Sequence, residues 1–264
     1  DASVEGKELE LYPHIDSLLQ RHSLRKKIEL VDAFDRSKPT LIGPNDLFFA
    51  TAWWTAHMAQ RAVNKTLHET FIYLIQDFEP ILHEGSTFYA RALETYNFAH
   101  IPIINTRLLL DHLANEGAGR YNNPSFVQNA LSFEPALDRN YYFPDLDETG
   151  LSDKKVLLFY ARPTVARRNL FEIGLVALRQ AVASGAINNE SWEVWAMGEN
   201  LSPIALGKGV FLNPLPWMNY EEYAERVRKA DLMLSLMLSP HPSYPPMEMA
   251  ASGKLIVTNS YSVK

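Results

Sequence analysis

Short, almost wholly apolar runs recur through this chain, and each is followed by a helical pattern or a turn. Clear examples are Phe71–Ile75, Lys155–Tyr160 and Trp192–Met197. A strand with water on one face alternates apolar and polar residues, whereas a strand buried on both faces is apolar throughout. Repeated alternation of such strands with helices is typical of a parallel sheet covered on both sides. The chain is therefore predicted to be an α/β protein.

The first half of the chain contains strand and helix signals in alternation. Ser86 is a suitable N-cap for the second helix, and Gly117 follows the third, where a left-handed stop is common. We predict strands over 27–34, 46–50, 71–75 and 101–105, and helices from about 56 to 63, over 86–98 and over 106–115.

A second set of signals follows residues 133–155, which hold two prolines, several acids and no periodicity. In it we predict strands over 155–160, 192–197, 210–213, 231–238 and 255–258, helices over 169–184, 220–230 and 247–251, and a loop over 161–168. We therefore predict two Rossmann-like domains, residues 1–150 and 151–264, and expect each to be incomplete. Such folds bind ligands at the carboxyl ends of strands, here in a cleft between the domains.

Charge and cysteine content exclude several classes of protein. A net charge of −6 argues against a general nucleic-acid binder, which needs a basic face. The chain has no cysteine, which excludes disulfides and cysteine-ligated metals and fits a reducing compartment. Its acidic start does not suit a signal peptide, and no apolar run reaches the roughly 20 residues that span a bilayer. We expect a cytoplasmic protein, with a peripheral position at the inner face of the membrane left open.

The segment from Pro246 to Asn259 has a recognisable order: a glutamate on a short helix, small residues, a glycine and an apolar strand. It resembles the donor site of retaining GT-B glycosyltransferases, notably family 4. The segments Asp46–Ala56, Leu74–Pro80, Tyr160–Pro163 and Ser239–Glu248 are similar to WsaF-type L-rhamnosyltransferases of bacterial surface-glycan synthesis. The resemblance implies a GT-B fold whose first domain takes the acceptor and whose second domain takes the nucleotide sugar.

Three positions depart from the family's pattern. Pro240 stands eight residues before Glu248, where family 4 enzymes often have the first glutamate of a Glu-x7-Glu pair. Trp217 stands near the place where some relatives carry a lysine, so a pyrophosphate contact is either missing or supplied by Lys208. Gln76 stands near the place of a histidine in many family 4 enzymes, and a glutamine cannot act as a base.

Three arginines, Arg162, Arg167 and Arg168, follow a predicted strand and precede a predicted helix. Arginine binds phosphate oxygens in a bidentate manner, and a cation at a helix start is unfavourable unless an anion is bound. We predict that these arginines bind the diphosphate of a donor. Arg162 is also predicted to be catalytic, because it would stabilise the charge that develops on the departing phosphate. The alternative is a solvated run of charges.

Five further residues are candidates for donor binding. Glu248 follows two prolines at the start of a predicted helix, where the helix dipole favours a charged carboxylate. The resemblance implies that the Glu248 carboxylate accepts hydrogen bonds from the sugar hydroxyls of the nucleoside. His241, Ser243 and Tyr244 would touch the sugar or the phosphates, and a simple turn-forming role is an equal explanation. Trp217 completes the predicted donor set.

The acceptor side is predicted at the end of the third strand. There Asp77 is predicted to be catalytic, and Gln76 and Glu79 are predicted to contact acceptor hydroxyls, because strand ends point at the ligand cleft. Trp53 and Trp54 suit stacking on sugar rings. A core-filling role is the alternative for one of the two.

No cluster of histidines and carboxylates has the spacing of a metal site, and no Asp-x-Asp pair follows a strand. The resemblance then implies a metal-free enzyme without a cofactor that transfers L-rhamnose from dTDP-L-rhamnose to a growing surface polysaccharide with retention. Its partners would be the nucleotide sugar, the glycan acceptor and glycan-assembly proteins, and its oligomeric state stays open.

A nucleotide-sugar epimerase is disfavoured because the expected His and Glu pair is lacking. A non-catalytic sugar-binding or scaffold protein of the same fold stays an alternative.

Overall fold

The computed structural model describes residues 2–3, 31–32, 39–144 and 153–264. The chain divides into two compact units, Asp1–Gly43 and Pro44–Lys264. In the first unit, strand β1 (Ala2–Ser3) pairs in antiparallel fashion with β2 (Val31–Asp32). The rest of the predicted strand 27–34 lies outside the described residues.

A four-stranded parallel sheet forms the first part of the second unit. Its strands, in spatial order, are β3 (Phe49–Ala50), β4 (Phe71–Ile75), β5 (His100–Asn105) and β6 (Leu131–Phe133). The helices of this region are α1 (Trp53–Val63), α2 (Thr87–Glu94), α3 (Arg107–Asn115) and α4 (Pro124–Gln128). Parallel neighbours need such crossover connections, because each helix returns the chain to the edge where the previous strand began.

Local side-chain contacts explain where two of these helices begin. Ser86 is the N-cap of α2 as predicted, since its hydroxyl accepts a hydrogen bond from the backbone N–H of Tyr89 at 3.4 Å. Thr106 serves α3 in the same way through the N–H of Leu109 at 3.2 Å. Both hydroxyls satisfy N–H groups that have no partner within the helix.

A six-stranded sheet forms the second part of the unit. In spatial order its strands are β12 (Leu255–Val257), β11 (Leu232–Leu234), β7 (Lys155–Tyr160), β8 (Trp192–Met197), β10 (Val210–Pro214) and β9 (Ile204–Gly207). All neighbouring pairs are parallel except β9 with β10, which is antiparallel. The helices are α5 (Ala166–Asn169), α6 (Phe171–Ser184), α7 (Tyr220–Lys229) and α8 (Tyr244–Ala251).

Two boundaries near the C-terminal end of the sheet were predicted wrongly. β11 is shorter than the predicted strand 231–238 and ends at Leu234. α8 begins at Tyr244 rather than at residue 247. Pro245 and Pro246 fit its first turn, because a helix needs no backbone N–H there.

Three further predictions were wrong in detail. The predicted loop 161–168 holds a 3-10 turn (Pro163–Val165) and most of α5. The predicted helix 86–98 ends at Glu94, and a 3-10 turn over Thr95–Asn97 follows it. Strands β6 and β9 lie at sheet edges and were not predicted, since runs of three and four residues are too short to show a clear period.

The central strand β7 is buried on both faces, as its sequence predicts. Leu157 and Phe159 pack into one apolar cluster with α6, whereas Val156 and Leu158 pack into a second cluster with α7 and α8. Alternate residues of a strand point to opposite faces, so helices on both sides require apolar residues at every position. The prediction of an α/β protein with parallel sheets is confirmed.

The predicted boundary between residues 150 and 151 falls within 145–152, outside the described residues. The strands that precede and follow this segment belong to separate sheets. The division into an acceptor domain and a donor domain, with a cleft between them, stays a prediction.

Close packing of α6 on β7 gives a test of the fold. A Cβ atom at Gly174 would lie 2.2 Å from Cζ of Phe159, whose ring is fully buried and stacked on Phe171. Gly174→Ala should therefore lower the free energy of unfolding by about 1–3 kcal/mol through overpacking. Helix propensity alone would give the opposite sign, a gain of about 1 kcal/mol.

Chemical denaturation of the purified protein measures this change. Gly85→Ala is the matched control, because no atom lies within 4 Å of its added Cβ. A Gly174→Ala protein as stable as the wild type would contradict the described packing of α6 on β7.

Candidate functional site

A cavity of about 690 Å³ opens at the carboxyl ends of β7, β8 and β10. Ligands of parallel α/β sheets bind at this edge, where the loops after the strands diverge. Its lining is mostly aromatic and apolar, with a few polar groups: Tyr160, Met197, Gly198, Glu199, Asn200, Leu215, Pro216, Trp217, Met218, Asn219, Tyr220 and Tyr223.

Trp217 is the most exposed large apolar side chain of the cavity wall, with 98% of its surface open to solvent. Tyr220, at the start of α7, is also half exposed. Large aromatic rings facing a cavity offer flat surfaces on which another planar ring can stack. Lys208, the alternative cation, does not line the cavity, and its ammonium group donates to the carbonyl of Ala183 at 2.7 Å.

Arg162 lies beside this cavity and is paired with one of its wall residues. Its Nε lies 3.5 Å from Oε1 of Glu199. The Glu199 carboxylate also accepts from the backbone N–H of Thr164 at 3.0 Å and from the Thr164 hydroxyl. Burial alone would raise the pKa of Glu199, but these hydrogen bonds and the charge of Arg162 hold it below its usual range. Glu199 was not among the predicted site residues.

Glu248 is buried, with 7% of its surface exposed, and is hydrogen-bonded to a tyrosine of the cavity wall. The hydroxyl of Tyr223, a cavity residue, donates to Oε2 of Glu248 at 2.7 Å. Tyr223 comes from α7 and Glu248 from α8, so helix packing creates this contact.

The predicted electrostatics of Glu248 are wrong. It is not in the first turn of α8, which contains no acidic residue. Burial raises the pKa of Glu248, and its interactions with the hydroxyls of Tyr223 and Tyr142 only partly oppose that shift. Hydrogen bonding to tyrosine hydroxyls therefore stabilises the charged form of this carboxylate.

Asp77, which follows β4, is engaged by three residues of the second half. Its Oδ2 accepts from Nε of Arg168 at 2.6 Å, and its Oδ1 accepts from the hydroxyl of Ser239 at 2.7 Å. Nε2 of His241 lies 3.5 Å from Oδ1. Burial would raise the pKa of Asp77, but its interactions with His241, Arg168 and Ser239 hold it at about 2. Both carboxylate oxygens are thus already hydrogen-bonded by the chain itself.

The three predicted arginines do not converge on one point. Arg168 pairs with buried Asp77, and Arg167 pairs with Glu84 at 2.9 Å in an exposed ion pair. Both lie on α5, not in a loop, and line a second groove of about 660 Å³ that also includes Leu82. Arg162 alone of the three contacts a residue of the first cavity in the part of the chain that the structure describes.

The other predicted donor residues, His241, Ser243 and Tyr244, line neither the cavity nor the second groove. His241 is buried, and its Nδ1 is hydrogen-bonded to the carbonyl of Pro242 at 2.9 Å. Ser243 is the N-cap of α8 without a side-chain hydrogen bond to the helix, and Tyr244 is half exposed.

The two predicted tryptophans occupy different environments. Trp53 is partly buried and packs edge to face against Trp54, His57 and His83, with ring centroids 5.7–6.0 Å apart. Trp54 is 55% exposed. Gln76 is also exposed, and its amide donates to the carbonyl of Thr51 at 3.2 Å.

One carboxylate oxygen of Glu79 is hydrogen-bonded at the start of α1, and a contact of Glu79 with the acceptor stays a prediction. Its Oε2 accepts from the backbone N–H of Trp53 at 2.7 Å and lies 3.4 Å from the hydroxyl of Tyr73. Burial raises the pKa of Glu79 to about 7, and these two hydrogen bonds only partly oppose the shift. A carboxylate at this position satisfies an N–H group that the helix leaves unpaired.

Within the described ranges, no three His, Cys, Asp or Glu side chains are grouped so that they could hold a metal ion. The metal-free reaction stays a prediction. No helix among the same residues combines the length and the apolar character needed to cross a membrane.

Two family models and one curated relative match this chain. The family model described as WsaF, N-terminal domain, matches residues 1–107, and the model described as WsaF, C-terminal domain, matches residues 155–264. The chain is also 33% identical over 218 residues to the O-antigen biosynthesis protein RfbC of Myxococcus xanthus. That match covers 81% of this chain and 15% of the relative, so the chain spans a small part of the relative's length.

The partly buried carboxylate of Glu79 gives a prediction about pH. Its folded pKa of about 7 exceeds the ordinary value of 4.5, so the folded state holds the proton more tightly than the unfolded state. The stability from this group is complete below pH 4.5 and is lost as the pH rises through 7. The free energy of unfolding of Glu79→Gln, measured relative to that of the wild type, should therefore be about 2–3 kcal/mol higher at pH 8 than at pH 4.

Denaturation curves of wild type and Glu79→Gln at pH 4, 6 and 8 measure the effect. The same substitution at exposed Glu69 controls for the change in net charge. A stability difference between wild type and Glu79→Gln that stays constant over this pH range would contradict the assigned burial of Glu79.

Proposed function

This chain belongs to the WsaF family, and from that premise we propose that it is a glycosyltransferase of bacterial surface-polysaccharide synthesis. The proposed donor is dTDP-L-rhamnose, and the proposed acceptor is a growing glycan, to which the sugar is transferred with retention in a GT-B arrangement. We propose a cytoplasmic location, with a peripheral position at the inner face of the membrane left open. The observation that carries the proposal is the aromatic-walled cavity at the strand ends, with Arg162 beside it. The name of the relative, an O-antigen biosynthesis protein, supports a polysaccharide as product.

The cavity has the features that a nucleoside diphosphate requires. Trp217 and Tyr220 offer rings on which the base would stack. The pair formed by Tyr223 and Glu248 would bind the 3′-hydroxyl of the deoxyribose, since both groups have acceptor capacity left. Arg162 would bind the diphosphate by charge-assisted hydrogen bonds.

The proposed chemistry uses the departing diphosphate as its base. The bond between the anomeric carbon and the β-phosphate oxygen breaks, and the acceptor hydroxyl oxygen attacks the same face of the sugar. The hydroxyl proton passes to the phosphate oxygen that leaves. Arg162 would stabilise the negative charge that develops there, which is the largest contribution expected from the protein. No metal is required in this scheme.

Asp77 is given a positioning role in this proposal. A carboxyl group with a pKa of about 2 is a weak proton acceptor near neutral pH. Through its contacts with Arg168 and Ser239, Asp77 would fix the acceptor side against the donor side. The acceptor itself would meet exposed Trp54 and Gln76.

A non-catalytic sugar-binding protein is the second candidate. It is favoured by the internal pairing of Asp77 with Nε of Arg168, because both carboxylate oxygens of Asp77 are hydrogen-bonded by the chain itself. Such a protein would bind the nucleotide sugar or the glycan without releasing the nucleoside diphosphate.

Turnover of dTDP-L-rhamnose separates the two candidates. We expect the purified protein to release dTDP, faster when a rhamnose-containing acceptor is added, and we expect the rate to survive EDTA. The phosphate charge would be stabilised by Arg162, so chelation would remove nothing that the reaction uses. Nucleotide analysis by chromatography measures the release, with the heat-denatured protein as control.

Two outcomes would count against this proposal in different ways. Binding of dTDP-L-rhamnose without any release of dTDP would support the non-catalytic candidate. Loss of activity in EDTA, restored by magnesium or manganese, would show that a metal takes part.

A further inference from the structure

Glu199 occupies the hydrogen-bond donors beside the cavity that a bound diphosphate would need. We propose that this carboxylate is an internal anion which the nucleotide's diphosphate displaces, so that Glu199 sets the affinity of the site for diphosphates. The inference rests on the proposed function, because it takes the diphosphate to bind at Arg162. Glu199 would oppose diphosphate binding, whereas the other residues assigned to the site favour it.

Three donors converge on the Glu199 carboxylate. They are Nε of Arg162 at 3.5 Å, the backbone N–H of Thr164 at 3.0 Å, and the hydroxyl of Thr164. A guanidinium group, an N–H group and a hydroxyl group together form the kind of set that binds a phosphate. Glu199 is itself a cavity residue, and its side chain is 17% exposed, so the carboxylate stands where a ligand would enter.

The neighbouring glycine explains how Glu199 comes to this position. Gly198 has a φ of 117°, and a Cβ there would lie 3.1 Å from both the carbonyl oxygen of Ala161 and Cγ of Arg162. The loop after β8 therefore packs directly on the loop after β7, which brings Glu199 next to Arg162. Glycine at this point also lets the backbone before Glu199 adopt conformations that other residues rarely reach.

Charge decides what happens when a nucleoside diphosphate arrives. The diphosphate and the Glu199 carboxylate are both negative, and two anions a few ångströms apart in a partly buried site repel each other. Arg162 can neutralise one of them well. The diphosphate must therefore displace Glu199 from Arg162 and Thr164, and the energy of that exchange lowers the observed affinity.

The same exchange would assist product release. After transfer, the free nucleoside diphosphate has to leave the cavity, and release of product limits many enzymes. Return of the Glu199 carboxylate to Arg162 and Thr164 gives these donors a partner as the diphosphate departs. The site is thus never left with an unpaired, half-buried arginine.

A purely structural role for Glu199 predicts the opposite result on mutation. If Glu199 only held Arg162 and Thr164 in place, its loss would disorder them and weaken diphosphate binding. If it competes with the diphosphate, Glu199→Gln should tighten binding. Glutamine keeps an acceptor oxygen for Thr164 but removes the charge that repels the ligand.

Calorimetry with dTDP and with thymidine tests the inference on the full chain. We expect Glu199→Gln to bind dTDP about tenfold more tightly than the wild type, within the usual range of coupling between competing interactions. Thymidine lacks the phosphates, so its affinity should not change. Glu225→Gln, which removes an exposed carboxylate paired with Lys229 on α7, controls for net charge and should bind dTDP as the wild type does. Arg162→Ala should weaken dTDP binding.

The possible results distinguish failure of the role proposed for Glu199 from failure of the proposed donor site. If the wild type binds dTDP and Arg162→Ala weakens binding, but Glu199→Gln leaves it unchanged or weaker, the inference is overturned and the proposed donor site stands. An equal gain for thymidine and dTDP in Glu199→Gln would also overturn the inference, because the effect would not involve the phosphates. If the wild type binds no dTDP at all, the proposed function and the inference fail together.

Discussion

The carboxylate of Asp77 is buried, and the geometry of the second compact unit depends on how its charge is satisfied. It follows a strand of the four-stranded sheet, and its partners Arg168, Ser239 and His241 belong to the region of the six-stranded sheet. A buried charge is tolerated only when hydrogen bonds and an opposite charge replace its water. Removing one partner of such a pair typically costs about 3–5 kcal/mol, because the other charge is left alone. These contacts therefore fix the segments after β7 and β11 against the end of β4.

This constraint also determines which side chains remain for a ligand. Arg168 is committed to Asp77, and its carbonyl accepts from the N–H of Leu238 at 2.7 Å, so α5 is held as a structural element. The cavity at the ends of β7, β8 and β10 is left with Arg162 as its neighbouring cation and with a lining of aromatic rings. An apolar cavity with a cation at one side suits a ligand that combines a planar base with phosphates. The buried carboxylate of Asp77 thus explains why Arg168 has a structural role while Arg162 lies beside the cavity.

The sequence predicted the elements whose signal is local and missed the features that arise from contacts between distant residues. β4, β7 and β8 were predicted at their observed bounds because buried parallel strands are apolar almost throughout. β9 was missed because its apolar run is only four residues long and ends at a glycine. Two prolines hid the start of α8, although proline is well tolerated there. The pairing of Asp77 with Arg168 joins residues 91 positions apart, and the contact of Tyr223 with Glu248 needs two helices to pack. No local pattern encodes either contact, so the site's residue types could be predicted but their partners could not.

Binding of a nucleoside diphosphate in the cavity at the ends of β7, β8 and β10 underlies both the proposed reaction and the role of Glu199. A crystal structure of the chain with dTDP is the most direct test. We expect the base against the ring of Trp217, the deoxyribose at Tyr223 and Glu248, and the diphosphate on Arg162. Electron density for dTDP in the second groove, beside Arg167 and away from Trp217, would contradict it.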